Sequence, residues 1–561
     1  MRFRASLFAL ALAAGPASAE LNAGAYLAAR IAGTMSDYAA AAEYYTRALI
    51  EDRANPALLE STVNAFVGLG EAERAVPVAR RLQETGTTSQ VANLVMSVDA
   101  AKRGDWDALI EDIDAGQSVG PLFDGLARAW ALVGSGQMGE ALEAFDEVAE
   151  KPGVEAFGLY HKALALAYAG DFEGADSILS GEAGVEMRLT RRGVIAFATV
   201  LSQLDRNSDA IELMEATFGR DLDPALSDLR VSLVAGDALP FTAIREPSDG
   251  VAEVLFSIGS ALNGEASPAY TLLYGRLALS LREDHVEAIL LTAELLEDLD
   301  RYELATKVYD SVPRENASFH AAELGRASAL ERAANPDAAI EVLEQLSESH
   351  GDIPAVHIAL GDLFRRLERY EDASPAYNRA IDLIDEPRQA HWVVYFARGI
   401  THEREGRWEM AETDFRQALD LNPDQPQVLN YLGYSFVEMQ TNMDEALGLI
   451  ERAVAARPDS GFITDSLGWV LYRLGRYDEA VVHMERAVEL EPIDPIINDH
   501  LGDVYWAVGR QREAEFQWHR ALSFEPGEED AERIRRKLEV GLDLVLEEEG
   551  SEPLSLVKDE G

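Results

Sequence analysis

Three stretches near the C-terminal end of this chain repeat one pattern at a fixed interval. Tyr431-Leu432-Gly433-Tyr434 is followed by Ser466-Leu467-Gly468-Trp469 and by His500-Leu501-Gly502-Asp503, each a Leu-Gly pair entering an apolar run. Ala446, Ala480 and Ala514 follow, then Ala453, Ala487 and Ala521, then Pro458, Pro492 and Pro526, with the alanines and prolines stepping by 34. Small residues at this period mark a helix-turn-helix unit whose two antiparallel helices cross closely. Such a unit cannot bury its apolar face alone and does so by stacking on its neighbours.

The turn has the matching chemistry. Gly475-Arg476-Tyr477-Asp478-Glu479-Ala480 ends one helix on a glycine, fills the gap with an aromatic ring and starts the next helix. In these residues the chain resembles the tetratricopeptide repeat family. The resemblance implies an all-α fold, an α-solenoid of stacked helix-turn-helix repeats wound as a right-handed superhelix. It also implies a non-catalytic scaffold that binds proteins.

Steps of about 34 residues back from Ala480 reach Ala446, Ala411, Ala373, Ala339, Ala305 and Thr271, with Trp408, Tyr370 and Tyr302 three residues ahead of their markers. One step, Ala373 to Ala411, is longer, and its extra residues fall at 385–389. That is a loop between repeats, where the chain lengthens without disturbing the stack. The N-terminal half keeps the interval at Ala41, Ala75, Ala108, Ala141, Ala175 and Ala210, with Trp106 and Phe172 as turn aromatics and Ala129, Ala163 and Ala198 replacing the Leu-Gly pair. Between Ala210 and Thr271 the interval fails. Pro224, Pro240, Pro247 and Gly250 break up residues 221–250, which read as a degenerate helix and a link where the superhelix bends or splits. The expected organisation is a repeat array over 20–220, this link over 221–250, a second array over 251–526, a capping helix over 527–549 and a mobile tail over 550–561. Six units precede the link and eight follow it.

The first nineteen residues carry a different message. Arg2 and Arg4, the apolar run from Leu7 to Ala14 and Pro16-Ala17-Ser18-Ala19-Glu20 form a signal peptide with cleavage after Ala19. About ten apolar residues are too few to span a bilayer. Export to the periplasm is the expectation. The chain has no cysteine, which excludes disulfides, a Cys-linked lipid anchor, thiolate metal sites and a Cys nucleophile. Its 99 acidic side chains outnumber 49 basic ones, and removal of Arg2 and Arg4 takes the net charge from −50 to −52. Such a surface repels nucleic acid and anionic lipid headgroups, and it keeps a long solenoid soluble.

Two catalytic-looking motifs lack their context. Gly134-Ser135-Gly136-Gln137-Met138-Gly139 matches a dinucleotide fingerprint, but a repeat's first helix precedes it where a strand is needed. Gly116-Gln117-Ser118-Val119-Gly120 matches a nucleophile elbow, yet the acidic helix end Glu111-Asp112-Ile113-Asp114 precedes it and Pro121 follows. Both read as turns. The histidines show no metal-ligand spacing and read as isolated exposed or edge residues. Neither a metal nor a cofactor is expected. A second class of reading, an enzyme with its site at Ser118 or within 221–250, requires a base beside Ser118 or a closed polar pocket in the link. A third is an envelope-assembly component that acts by self-association.

In stacked repeats the first helices line the inner face, and positions three before and one after the Gly point into it. Those are Asn430 and Tyr434, Asp465 and Trp469, Asp499 and Asp503, with Tyr472 and Trp506 one turn further on. This acidic, aromatic groove has Asp where some family members clamp a terminal carboxylate with Lys or Arg. The expected partner is a protein or peptide segment, extended, with Lys or Arg beside apolar residues, in a cell-envelope complex and without insertion into the membrane. Packing between neighbouring helices accounts equally well for Trp469, Tyr472 and Trp506.

Overall fold

A computed structural model describes residues 18–181, 187–219 and 222–550. The predicted leader, 1–19, and the tail, 550–561, fall almost wholly outside these residues. Among the described residues there are 31 α-helices, one 3-10 turn and no strand.

The chain divides into two compact units, one through Leu346 and one from Ser347. The first begins with six helix pairs: α1 (Ser18–Thr34) and α2 (Tyr38–Glu51), α3 (Pro56–Leu69) and α4 (Ala72–Glu84), α5 (Gln90–Arg103) and α6 (Trp106–Asp114), α7 (Pro121–Gly134) and α8 (Met138–Ala149), α9 (Glu155–Tyr168) and α10 (Phe172–Leu179), α11 (Arg191–Gln203) and α12 (Asn207–Phe218). The single helix α13 (Pro224–Ala235) follows. Then come α14 (Pro247–Leu262) and α15 (Pro268–Leu281), α16 (Val286–Asp298) and α17 (Tyr302–Tyr309), and α18 (Phe319–Arg332) with most of α19 (Pro336–Ser349). The second unit pairs α20 (Pro354–Arg366) with α21 (Tyr370–Asp382), α22 (Trp392–Arg404) with α23 (Trp408–Leu421), α24 (Pro426–Glu438) with α25 (Met443–Ala456), α26 (Gly461–Arg473) with α27 (Tyr477–Leu490) and α28 (Pro495–Ala507) with α29 (Gln511–Ser523). It closes with α30 (Glu528–Val540) and α31 (Leu542–Glu548).

Each second helix except α6 starts three residues before its small-residue marker. Ala41, Ala75, Ala141, Ala175, Ala210, Thr271, Ala305, Ala339, Ala373, Ala411, Ala446, Ala480 and Ala514 are all 0–1 % exposed. The third repeat is a correction. Ala108 is only half-buried, and Leu109, three after Trp106, is the sealed residue. Ala100 on α5 and Ala131 on α7, which share a buried cluster with Leu109, are the small residues at that crossing. The first-helix glycines occupy equivalent crossings. A Cβ on Gly361, Gly399, Gly433, Gly468 or Gly502 would come within 3.0 Å of Tyr377, Phe415, Ile450, Met484 or Trp518, each four residues past its marker.

The helix ends follow from local chemistry. Asn55, Ser89, Thr190, Asp223, Ser460 and Asp494 accept backbone N–H groups at helix starts. Pro56, Pro121, Pro247, Pro268, Pro354, Pro426 and Pro495 sit at first positions, where the missing N–H has no intrahelical partner to lose. Turns between paired helices use a left-handed residue, and the turn from α24 to α25 uses two, Gln440 and Asn442. The residue is a glycine at Gly475 (φ 74°), Gly406 (73°) and Gly509 (80°), whereas Asp205, Asp300, Ala334 and Glu368 accept the same strain at 57–58°.

The link at 221–250 is not where the fold divides. Its last residues form the first turn of α14, with Asp249 and Gly250 buried, and α14–α15 pack back on the first helices of the N-terminal pairs. Gly250 lies against the Trp130 ring. Tyr160 on α9 donates its hydroxyl hydrogen to Glu253 at 2.9 Å, and Arg192 on α11 donates to the same carboxylate at 2.6 Å. Arg276 on α15 donates to the Gly68 carbonyl of α3 at 3.1 Å. One hydrophobic core therefore includes Leu94 and Trp130 together with Val251 and Leu277. This coverage explains why α5 buries ten residues around nearly its whole circumference, as a helix enclosed on all sides must.

The predicted capping helix is two helices. Gly541, with φ 84° and ψ 157°, breaks it beneath Trp506. Ile534, Leu542 and Val545 form the buried face.

Candidate functional site

The inner face of the second unit is built by α22, α24, α26 and α28. A concave cavity of about 670 Å³ opens there, lined by Glu403, Arg404, Asn430, Tyr434, Glu438, Met439, Phe462, Asp465, Ile496 and His500. Three of the eight sequence-predicted groove residues, Asn430, Tyr434 and Asp465, belong to it.

Two of its lining residues, Asp465 and His500, join a side-chain stack. The Trp469 ring lies 4.0 Å from His500 and 4.9 Å from Tyr472, near parallel to both. His500 Nδ1 approaches the Asp465 carboxylate at 3.0 Å, and the Trp469 indole donates to Glu438 at 3.1 Å. Burial lowers the imidazole's proton affinity, but Asp465, Asp499 and Asp503 outweigh it and raise the His500 pKa above its ordinary value. Tyr434 has its hydroxyl pKa raised by burial and then by Glu438 and Asp465.

At the far end the groove is filled rather than open, which corrects the expectation for Asp499, Asp503 and Trp506. Lys537 of α30 is 1 % exposed. Its ammonium donates to Asp499 at 2.8 and 2.9 Å and to Asp503 at 2.6 Å. Asp503 also accepts the Trp518 indole N–H at 2.9 Å, and Trp506 donates to Asp543 of α31 at 3.0 Å. The basic group that these aspartates suit is already supplied by the chain. Trp469 and Tyr472 are likewise packing residues, 7 % and 6 % exposed.

The open part lies one to two repeats earlier. Asn430 Oδ1 is buried without a hydrogen-bond partner. Phe462 is 56 % exposed and Ile496 36 %. Sequence reasoning missed Phe462, Ile496, Glu403 and Glu438. A signal existed for the first two, since both stand six residues before a crossing glycine, Gly468 and Gly502.

The other motifs resolve into structure. Gly136 is the left-handed turn residue between α7 and α8 (φ 76°), and Gly134 sits against the Trp106 ring. The Ser118 hydroxyl donates to Asp124, which also accepts the Val119 N–H at 2.9 Å and the Gly120 N–H at 3.4 Å. That carboxylate closes the loop into α7. The link carbonyls of Thr242 and Ala243 accept from Arg282 at 3.2 and 2.5 Å, which straps the segment down. The histidines differ from expectation, since His161, His285, His320, His357, His402 and His500 are buried. His161, His285, His402 and His500 tie helices together, as where the Trp130 indole donates to His161 Nδ1 at 3.1 Å, whereas His320 and His357 bond to nearby carbonyls of Ala317 and Gly351. Among the described residues no cluster of three His, Cys, Asp or Glu is placed to hold a metal, and no helix is long and apolar enough to cross a membrane.

A family model described as a tetratricopeptide repeat matches residues 26–89, 324–386 and 396–461, and a second of the same description matches 465–494. A TPR repeat-containing protein of Pseudomonas aeruginosa is 26 % identical over 159 residues, which make up 28 % of this chain and 26 % of the relative. The match therefore spans about a quarter of the relative's length. Among solved structures, the Cut9–Hcn1 hetero-tetramer of the APC/C aligns at 15 % identity over 93 % of this chain and 96 % of that one, with a TM-score of 0.38. A tetratricopeptide repeat protein from Parabacteroides merdae aligns at 17 % identity over 46 % and 98 %, with a TM-score of 0.37. Hairpins paired at sealed small residues run through the described residues, and in residues 26–89, 324–386, 396–461 and 465–494 they match the tetratricopeptide repeat.

Proposed function

We propose that the protein is a non-catalytic interaction scaffold of the bacterial periplasm or cell envelope, exported by a signal peptide cleaved after Ala19. It docks a partner protein on the inner face of α22–α28. The observation that carries this reading is the 670 Å³ cavity, in which exposed apolar side chains, Phe462 and Ile496, lie beside the carboxylates Glu403 and Glu438 and the unsatisfied carbonyl of Asn430. An extended segment presenting Lys or Arg next to apolar residues complements all three features. Asn430 accepts a backbone N–H, the carboxylates take the cation and the rim takes the apolar side chain. The strongly acidic composition adds long-range attraction for such a segment.

The test is site-specific photocrosslinking in cells. A photoreactive residue at Phe462 is expected to trap a discrete partner, and one at Val482, which is 64 % exposed on α27, is expected to trap none. Identical adducts at both positions, or none at either, contradict the docking face. Fractionation of the same cells checks the compartment.

Self-association has one observation in its favour. Leu27, Ile31 and Met35 stand at i, i+4 and i+8 on and just beyond α1, and are 60 %, 53 % and 63 % exposed. Sedimentation of the mature chain at rising concentration distinguishes a monomer from a self-paired form.

A further inference from the structure

A buried cation without a counter-ion is unusual in a chain with twice as many acids as bases. Arg276 on α15 is 8 % exposed. Its Nε–H donates to the Gly68 carbonyl at 3.1 Å. The guanidinium makes no other hydrogen bond and no ion pair among the described residues, so Nη1 and Nη2 keep their four N–H donors free. Burial pulls its pKa down to about 10, with Tyr38 opposing the shift. Its neighbours behave differently. Arg192 pairs with Glu253 and Glu287, and Arg245 and Arg282 each pair with Asp249 and Asp284.

Arg276 lines a cavity of about 430 Å³ bounded by the turn 70–74 between α3 and α4, by Lys102 and by Leu279, Ser280 and Glu283. The other two cations of its wall are occupied, Arg74 by Glu71 at 2.5 Å and Lys102 by Glu73 at 3.2 Å. Glycine at position 70 leaves room for the guanidinium, since a Cβ there would stand 3.1 Å from Nη1. A second polar group near Gly68 is also left open. The Tyr38 ring packs on Gly68, and its hydroxyl is buried without a hydrogen-bond partner.

We propose that this cavity binds a small monocarboxylate, whose two oxygens accept from Nη1–H and Nη2–H of Arg276. A planar carboxylate matches the guanidinium fork and neutralises the buried charge. The carboxylates of Glu71, Glu73 and Glu283 on the same wall disfavour a dianion such as phosphate, by like-charge repulsion across a confined space.

The experiment uses the full mature chain with acetate as the probe. Saturation-transfer NMR at constant ionic strength is expected to show transfer to the acetate methyl in the parent. Arg276→Gln, chosen to keep an N–H donor toward Gly68, is expected to weaken binding tenfold or more. Circular dichroism checks that this variant is folded. A second measurement needs no variant: the parent should melt at a higher temperature in acetate than in chloride of equal ionic strength. Unchanged binding by folded Arg276→Gln, no acetate effect on the parent, or phosphate binding more tightly than acetate would each overturn the proposal.

Discussion

Lys537→Met tests how the last repeats are held. The ammonium of Lys537 makes three hydrogen bonds of 2.6–2.9 Å to Asp499 and Asp503, and all three residues are at most 7 % exposed. Methionine fills nearly the same volume, so the perturbation is electrical. Two buried like charges are left with Arg533 at 3.8 and 3.5 Å as the remaining cation. Removing one member of a buried ionic cluster costs about 3–5 kcal/mol. The lower end applies here, because Asp503 keeps the Trp518 N–H and Asp499, whose pKa burial and then Asp503 already raise, can take up a proton. The loss should therefore be about 3 kcal/mol at neutral pH and should shrink toward pH 5. Urea unfolding followed by tryptophan fluorescence reads it, since Trp506 and Trp518 pack together at 5.4 Å in this region. Adding Asp499→Asn to Lys537→Met should restore part of the loss. A loss below about 1 kcal/mol, or no recovery in the double variant, refutes the reasoning.

Two further outcomes follow from single residues. Ala334→Gly relieves a left-handed alanine at φ 57° on an exposed turn and should stabilise the first unit by roughly 0.5–1 kcal/mol, after the added freedom of the unfolded chain is counted; thermal unfolding checks it. Two histidines give opposite pH slopes. Burial lowers the His161 pKa to about 4, so its contribution is present above about pH 6.5 and is lost as pH falls, by roughly 3 kcal/mol below pH 4. The raised His500 pKa works the other way, with stability present below about pH 6.5 and lost as pH rises through its folded value. Melting curves of His161→Asn and His500→Asn, each flattening one side of the pH profile, would separate them.

Much of the fold was legible because a close helix crossing tolerates only a small residue, and Ala446, Ala480 and Ala514 state that requirement in the sequence. The turn glycines were legible for a similarly local reason. Periodicity describes each hairpin and its nearest neighbours but not what covers the other side, so it gave no hint that α14–α15 cover the first helices of the N-terminal pairs. The contact from Arg276 to Gly68 spans 208 positions and leaves no local trace. The acidic groove was misread for a related reason. Asp499 and Asp503 looked like an open site because Lys537 lies more than 30 residues away. A clue was available, in that Lys537 stands three residues after Ile534 and so on the apolar face of its own helix. The six buried histidines were unreadable, because a lone histidine gives the same signal whether it is solvated or satisfied inside.

The fold rests on hairpins nested at sealed small side chains, and equilibrium unfolding of Ala480→Leu beside Val482→Leu probes that most directly. Position 480 is 0 % exposed and position 482 is 64 % exposed on the same helix. Overpacking at 480 should remove about 1–3 kcal/mol, while the control stays within about 0.5 kcal/mol of the parent. Equal stability of the Ala480→Leu variant and the parent would contradict the crossing.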